Sequence, residues 1–105
     1  MSEMSLYEQV KCIEEMQNRL IEFSGEVEKS MSDYLSDIKF LRANGLSIEI
    51  EEKYIERYYN PANDAIETVL NSIGYQHYPY LEEVKRRLRE LIWPQKLDGL
   101  IMGYP

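Results

Sequence analysis

Few side chains in this chain could act as a nucleophile and a base. Cys12 is the single cysteine and His77 the single histidine among 105 residues, so a nucleophile–base pair would have to join these two positions. Cys12 lies near one end of a predicted long helix, whereas His77 lies in a predicted connector. We expect them to stay apart, and we predict that the protein is not an enzyme and has no catalytic residues.

Cofactor and metal sites also lack their usual residue patterns. One cysteine supplies neither an intramolecular disulfide nor a thiolate zinc site. Di-iron bundles need paired Glu-x-x-His motifs, which do not occur here, and the five glycines are scattered rather than gathered in a phosphate loop. Adjacent acids such as Glu14-Glu15 diverge by about 100° on a helix and are typical of surface charge. We predict no cofactor, no metal and no small-molecule substrate.

The basic stretch Lys85-Arg86-Arg87-Leu88-Arg89 is the candidate for anion binding. Such a cluster suits a phosphate backbone or an acidic partner helix. The chain as a whole carries a formal charge of −7, which opposes non-specific binding to nucleic acid. We expect these cations to pair with acidic helices of the same bundle, and we predict no nucleic-acid partner.

Tyrosine is concentrated between residues 54 and 80. That segment holds six of the nine tyrosines: Tyr54, Tyr58, Tyr59, Tyr75, Tyr78 and Tyr80. A large apolar body with one polar tip suits a half-buried interface. Tyr54 and Tyr58 lie one helical turn apart and share a face, which Tyr59 widens. The six tyrosines are either boundary residues of an intramolecular core or a protein–protein interface, and the sequence leaves both open.

An apolar stripe along the first forty residues predicts the main structural element. We call it the seam, and its positions alternate in steps of four and three: Leu6, Val10, Ile13, Leu20, Val27, Met31, Tyr34, Ile38 and Leu41. Gln17 and Ser24 fill its two gaps. Either they are polar core residues that fix register, or the seam rotates there because a helix drifts against a seven-residue repeat. Neighbouring Met16, Ile21 and Phe23 favour rotation.

The first helix has clear signals at both ends, and we place it at about residues 5–44. Ser5 followed by Glu8 predicts a capping box at its start. Asn44 and Gly45 predict its termination and a tight turn. At about 55 Å the helix would need a partner of similar length.

The second helix is expected over about residues 48–73, antiparallel to the first because the turn is short. Pro61 lies inside it, so we expect a kink or break near residues 59–61. Gly74 is expected to end this helix.

The remaining residues complete a single all-α domain, residues 1–105. After a connector at residues 75–79, a shorter third helix is predicted at about 80–92. Residues 95–105 form an apolar tail that we expect to dock on the bundle or on a partner. The predicted fold is an antiparallel hairpin of two long helices with a third helix, dimerising into a helical bundle.

No segment is apolar enough to span a membrane, which requires about 18 apolar residues. The first residues lack the basic start and apolar run of a cleavable signal peptide. We therefore expect a location in the cytoplasm, or secretion without such a peptide.

The layout of residues 5–73 resembles the WXG100 (ESAT-6-like) family of small secreted helical hairpins. The family's central Trp-x-Gly turn would fall at Ala43-Asn44-Gly45, where the glycine is kept and the tryptophan is replaced. Its Tyr-x-x-x-Asp/Glu export signal would be Tyr78 with Glu82. The resemblance implies an antiparallel hairpin that dimerises into a four-helix bundle and is exported by a type VII-like secretion system.

We therefore expect a non-enzymatic helical protein–protein interaction module. Its partner would be a protein, in a homodimer or a helical heterodimer. It would act as a secreted protein or adaptor. The alternative is an intracellular regulatory or immunity-type protein. Such a protein would neutralise its partner through its acidic, tyrosine-rich face.

Overall fold

Two long antiparallel helices form a hairpin in the structure, a computed structural model that describes residues 3–92. α1 spans Leu6–Ala43, and α2 spans residues 48–92. Their lengths are about 57 Å and 68 Å at 1.5 Å per residue, and the molecule is 74 Å along its longest axis. The expectation of an all-α fold is confirmed.

Both helices begin with a serine cap. Ser5 Oγ accepts a hydrogen bond from the Glu8 backbone N–H at 3.1 Å, and the Glu8 carboxylate accepts one from the Ser5 N–H at 3.3 Å. These two bonds form a capping box. At the start of α2, Ser47 Oγ accepts from the Ile50 N–H at 3.2 Å. The caps satisfy backbone N–H groups that lack a partner within each helix.

A tight turn joins α1 to α2. Asn44 caps α1, and its side-chain amide donates to the Phe40 carbonyl at 2.8 Å. Gly45 follows at φ +116°, in the region that glycine enters without steric cost. The Leu46 N–H then donates to the Leu41 carbonyl at 3.0 Å, the long hydrogen bond of a Schellman turn. The chain thus reverses within a few residues, and α2 returns alongside α1.

α2 is continuous over its whole length, although its winding changes. Two π-helical turns interrupt the α-helical hydrogen bonding without ending the helix. Its five segments are α-helical Ile48–Tyr54, π-helical Ile55–Tyr59, α-helical Asn60–Ser72, π-helical Ile73–His77 and α-helical Tyr78–Ile92.

The expectation of three helices is therefore wrong. Of the kink or break expected near residues 59–61, the break does not occur, and the predicted connector at 75–79 is helical. Gly74 does not end the helix and lies within its second π turn. The predicted second and third helices are one element.

The π turns explain how α2 passes two prolines. A proline inside an α-helix lacks an N–H, and its ring clashes with the carbonyl four residues earlier. Each π turn ends two residues before a proline, at Pro61 and at Pro79. The residue before each proline bonds five residues back, as Asn60 does to the Ile55 carbonyl. The wider turn gives the proline ring room and keeps the helix continuous.

The hairpin has a narrow core along the seam. Val10 and Ile38 are its buried apolar side chains in the described part of the chain, at 7% and 5% exposure. The other seam positions are half-buried, except Leu41, which is exposed. Two helices alone cannot enclose a core, because each seam has only one partner surface.

No helix within residues 3–92 is long and apolar enough to cross a membrane. The predicted apolar tail, residues 95–105, lies outside the described residues.

Candidate functional site

Three of the six predicted interface tyrosines gather near the turn around a fourth tyrosine. Tyr34 of α1 shares a 2.7 Å hydrogen bond with Tyr54, hydroxyl to hydroxyl. The Tyr34 ring also lies 5.6 Å from the Tyr59 ring, and the Tyr54 ring lies 5.3 Å from the Tyr58 ring, centroid to centroid. The Tyr54 hydrogen bond raises the pKa of Tyr34 above its usual 10.0. This tyrosine cluster joins α1 to α2 and still exposes Tyr54 and Tyr58.

The other three tyrosines lie further along α2, so the six do not form one surface. Tyr75 and Tyr80 are strongly exposed. Tyr78 is half-buried and lines a groove between the two helices.

A polar network joins the helices near their other end. Gln17 is only 2% exposed, less than Val10 or Ile38, and its amide donates to the Glu82 carboxylate at 2.8 Å. Lys85 Nζ lies 2.9 Å from that carboxylate and 3.9 Å from Glu14. Glu14 also lies 3.4 Å from the Arg89 guanidinium. Buried polar groups need such partners, and here each is satisfied across the helix–helix contact.

The network decides between the two interpretations of the seam's gaps. Gln17 stays on the buried face, so the rotation that the sequence favoured does not carry it outward. It is a polar core residue with a specific partner, which favours one register of the two helices. Ser24, at the second gap, donates to the Leu20 carbonyl of its own helix at 2.9 Å.

The predicted anion-binding stretch is occupied by acidic partners. Arg86 contacts Glu83 at 2.7 Å and also contacts Glu90, while Arg87 contacts Glu83 at 3.1 Å. Hydrogen bonds from Arg86 and then Arg87 lower the pKa of Glu83 to about 2. Together with Lys85 in the polar network, these pairs support the expectation that the cations bind acids of the same hairpin.

The two residues of the predicted export signal, Tyr78 and Glu82, lie one helical turn apart within α2. Glu82 is engaged by Lys85 and Gln17, whose hydrogen bonds, in that order, lower the pKa of Glu82 below its usual 4.5. The Tyr78 carbonyl lies 3.5 Å from the Gln17 amide. Both residues therefore belong to the helix–helix contact as well as to the short motif.

The chain matches no protein-family model, no curated protein and no solved structure.

The candidate nucleophile and base, Cys12 and His77, lie on different helices. Cys12 is exposed on α1, and no hydrogen bond joins it to His77, which lies in the second π turn. Within residues 3–92, no group of three or more His, Cys, Asp or Glu side chains could hold a metal ion.

A shallow groove of about 410 Å³ separates the middle parts of α1 and α2. Gly25 and Gly74 lie on its two walls, and an added Cβ at either would contact nothing within 4 Å. Leu20, Ile21 and Ile73 supply much of its apolar lining. The helices are therefore less closely packed here than at the tyrosine cluster or the polar network.

Large apolar side chains remain exposed in the hairpin, including Leu41, which the seam pattern predicts to be buried. They are Met4, Tyr7, Met16, Ile21, Phe23, Phe40, Leu41, Ile48, Ile50, Tyr54, Tyr58, Val69, Tyr75, Tyr80 and Leu91. Scattered single exposures are normal, whereas this many on one thin hairpin is typical of an interaction surface. In the sequence, the signal for these exposed residues is that the apolar stripe of α1 is wider around Met16 and Phe23.

Proposed function

We propose that this chain is a non-enzymatic helical protein–protein interaction module that associates along its length with a second helical hairpin. The observation that supports this proposal is that few apolar side chains are buried and many are exposed. Val10 and Ile38 are its buried apolar side chains within residues 3–92, against the many exposed ones named above. Burial of apolar area is the main favourable term in folding, so a hairpin this thin gains stability from a partner.

The proposal includes a role as a secreted protein or adaptor of the WXG100 type, in a type VII-like secretion system. Its support is the antiparallel hairpin layout and the glycine turn at Asn44-Gly45. Tyr78 and Glu82 would be the export signal.

Light scattering on the full chain tests the association. We expect a particle with twice the chain mass of 12.5 kDa, and a thermal midpoint that rises with protein concentration. A monomer at every soluble concentration, with a fixed midpoint, would contradict self-association. Export is tested separately by fractionating a culture of the native host, where retention with the cells under secreting conditions would exclude it.

A second candidate is an intracellular regulatory or immunity-type protein that neutralises a partner. The exposed rings of Tyr54 and Tyr58, near the turn of the hairpin, support it. Tyrosine is enriched among the residues that contribute most of the binding energy in protein–protein interfaces. Here Tyr58→Ala should abolish capture of a stoichiometric partner from host lysate while helix content is retained. Equal capture by the wild type and by Tyr58→Ala would count against this candidate.

A further inference from the structure

Two glycines face each other across the groove between α1 and α2, where a helix ordinarily carries side chains. Gly45 is the glycine with a positive φ in the described part of the chain, so neither Gly25 nor Gly74 adopts a conformation that requires glycine. A glycine inside a helix is less stable than an alanine, because it loses more backbone freedom on folding. An added Cβ at either position contacts nothing within 4 Å, so the packing of this hairpin does not require glycine either. The two glycines keep the groove open and allow close approach of a bound backbone.

The groove has an apolar lining of the size that a short helix fills. Leu20, Leu70 and Ile73 are half-buried in it, and Ile21 is 54% exposed. Its volume of about 410 Å³ is within the range of roughly 300–1,000 Å³ that is typical of binding pockets. The α1 wall, residues 20–28, is about 12 Å long. An amphipathic helix with anchor residues at positions i, i+4 and i+7 needs about 10 Å.

The walls of the groove are acidic. The α1 wall contains Glu22, Glu26 and Glu28 and neither lysine nor arginine. In α2, residues 58–84 contain neither lysine nor arginine, and this range includes most or all of the second wall. Within residues 3–92 these three glutamates form no ion pair, whereas the acids of the polar network and of the predicted anion-binding stretch are paired with cations. The groove therefore suits a partner that carries cations beside its apolar side chains.

We propose that this groove binds a short, basic, amphipathic helix of a partner protein. The apolar side chains of that helix lie between Gly25 and Gly74, and its lysine or arginine side chains face the glutamates of the α1 wall. Bound there, the third helix contacts α1 and α2 together and covers the apolar lining that the hairpin leaves open. The site goes beyond the proposed association of two hairpins, because its occupant is a helix of the opposite charge.

Two other occupants lack the required charge. A second copy carries −7, and its basic stretch at residues 85–89 is already paired with acids of its own hairpin. Acidic walls of two copies repel each other. Residues 93–105 contain one lysine and one aspartate, so they bring no net positive charge to the groove. A basic helix from another protein meets both the apolar and the charge requirement.

The first test uses a model peptide and the full chain. The peptide consists of leucine and lysine, with leucine every three or four residues, and in the control peptide glutamate replaces every lysine. Binding is followed by NMR at the glycine amides. We expect the amide signals of Gly25 and Gly74 to shift together and that of Gly45 at the turn to stay. The control peptide should bind at least about tenfold more weakly, and the affinity of the lysine peptide should fall as salt is added.

The second test fills the groove without unfolding the hairpin. Gly25→Leu adds a side chain in the open space, and Ser30→Leu is the matched control. Ser30 is exposed on α1, five residues after Gly25 and therefore about 140° around the helix. We expect Gly25→Leu to raise the dissociation constant of the lysine peptide about tenfold or more, and Ser30→Leu to change it less than about twofold. Thermal unfolding of Gly25→Leu should occur at a higher temperature, because leucine favours a helix more than glycine does.

Several results would overturn the inference. It is wrong if the full chain does not bind the lysine peptide, if the control peptide binds equally well, or if binding leaves Gly25 and Gly74 unshifted. Equal dissociation constants for the wild type and Gly25→Leu would also exclude the groove. Sedimentation separates this site from self-association: a wild-type dimer that becomes a monomer in Gly25→Leu would show that a second copy occupies the groove. A monomeric wild type that binds the peptide at the groove would support the inference and contradict the proposed self-association.

Discussion

The Gln17 amide of α1 donates a 2.8 Å hydrogen bond to the Glu82 carboxylate of α2, across 65 residues of sequence. It replaces an apolar contact at the most buried position of the seam. Such a bond is satisfied in one register of the two helices and is lost if either helix slides by a turn.

Removing the Gln17 side chain should therefore destabilise the hairpin. We expect Gln17→Ala to lower the free energy of unfolding by about 1–3 kcal/mol, because a buried hydrogen bond is lost and a gap remains. Chemical denaturation followed by circular dichroism measures this loss. The exposed neighbour Asn18 gives the control, and equal effects of Gln17→Ala and Asn18→Ala would show that the Gln17 contact does not stabilise the fold.

The polar network predicts a loss of stability in acid. The pKa of Glu82 in the folded chain is below its usual 4.5, because Lys85 and Gln17 stabilise the carboxylate. A lowered folded pKa adds stability that is present above pH 4.5 and disappears as the pH falls through the folded pKa. We expect the midpoint temperature of thermal unfolding to decrease as the pH is lowered from 4.5. In Glu82→Gln this decrease should be smaller. Glu22→Gln, which removes the same charge from an exposed site, should leave the decrease unchanged; if it has the same effect, net charge is the cause.

The tyrosine cluster predicts a loss of stability at high pH. Its hydrogen bond to Tyr54 raises the pKa of Tyr34 above 10.0, so the protonated form is favoured in the folded chain. This contribution is complete below pH 10 and is lost as the pH rises through the folded pKa. Tyr54→Phe should return the Tyr34 pKa towards 10.0, as measured by NMR titration of ring-labelled tyrosine. Tyr75→Phe, at an exposed ring outside the cluster, is the control and should leave the Tyr34 pKa unchanged.

The π turns predict that Pro61 costs little where it stands. An interior proline in an α-helix usually costs about 3 kcal/mol, but the preceding π turn already provides room for the Pro61 ring. We expect Pro61→Ala to change the free energy of unfolding by less than about 1 kcal/mol. Ala65→Pro, one turn later in regular α-helix, should cost about 3 kcal/mol. Similar costs at the two positions would show that the π turn does not relieve the strain.

Local signals in the sequence predicted the first half of the hairpin well. The Ser5–Glu8 capping box and the α1 seam depend on spacings of three, four and seven residues, which the geometry of a single helix determines. The second half is less predictable, because Pro61 is a local signal for a kink or break and Gly74 is a local signal for a helix end. Whether the helix ends there or continues through a π turn depends on how it packs against the other helix. Local sequence rules do not include that packing.

The sequence by itself determined that the chain is helical, where α1 begins and that an apolar stripe follows it, because these properties depend on residues a few positions apart. Only the tertiary structure decided that α2 is continuous, that Gln17 is a core residue bound to Glu82, and that the six tyrosines divide into separate groups. Each of these depends on which flank of α2 faces α1. Two π turns set that phase, and since each adds a residue to its turn, a seven-residue pattern read from the sequence loses its alignment after them.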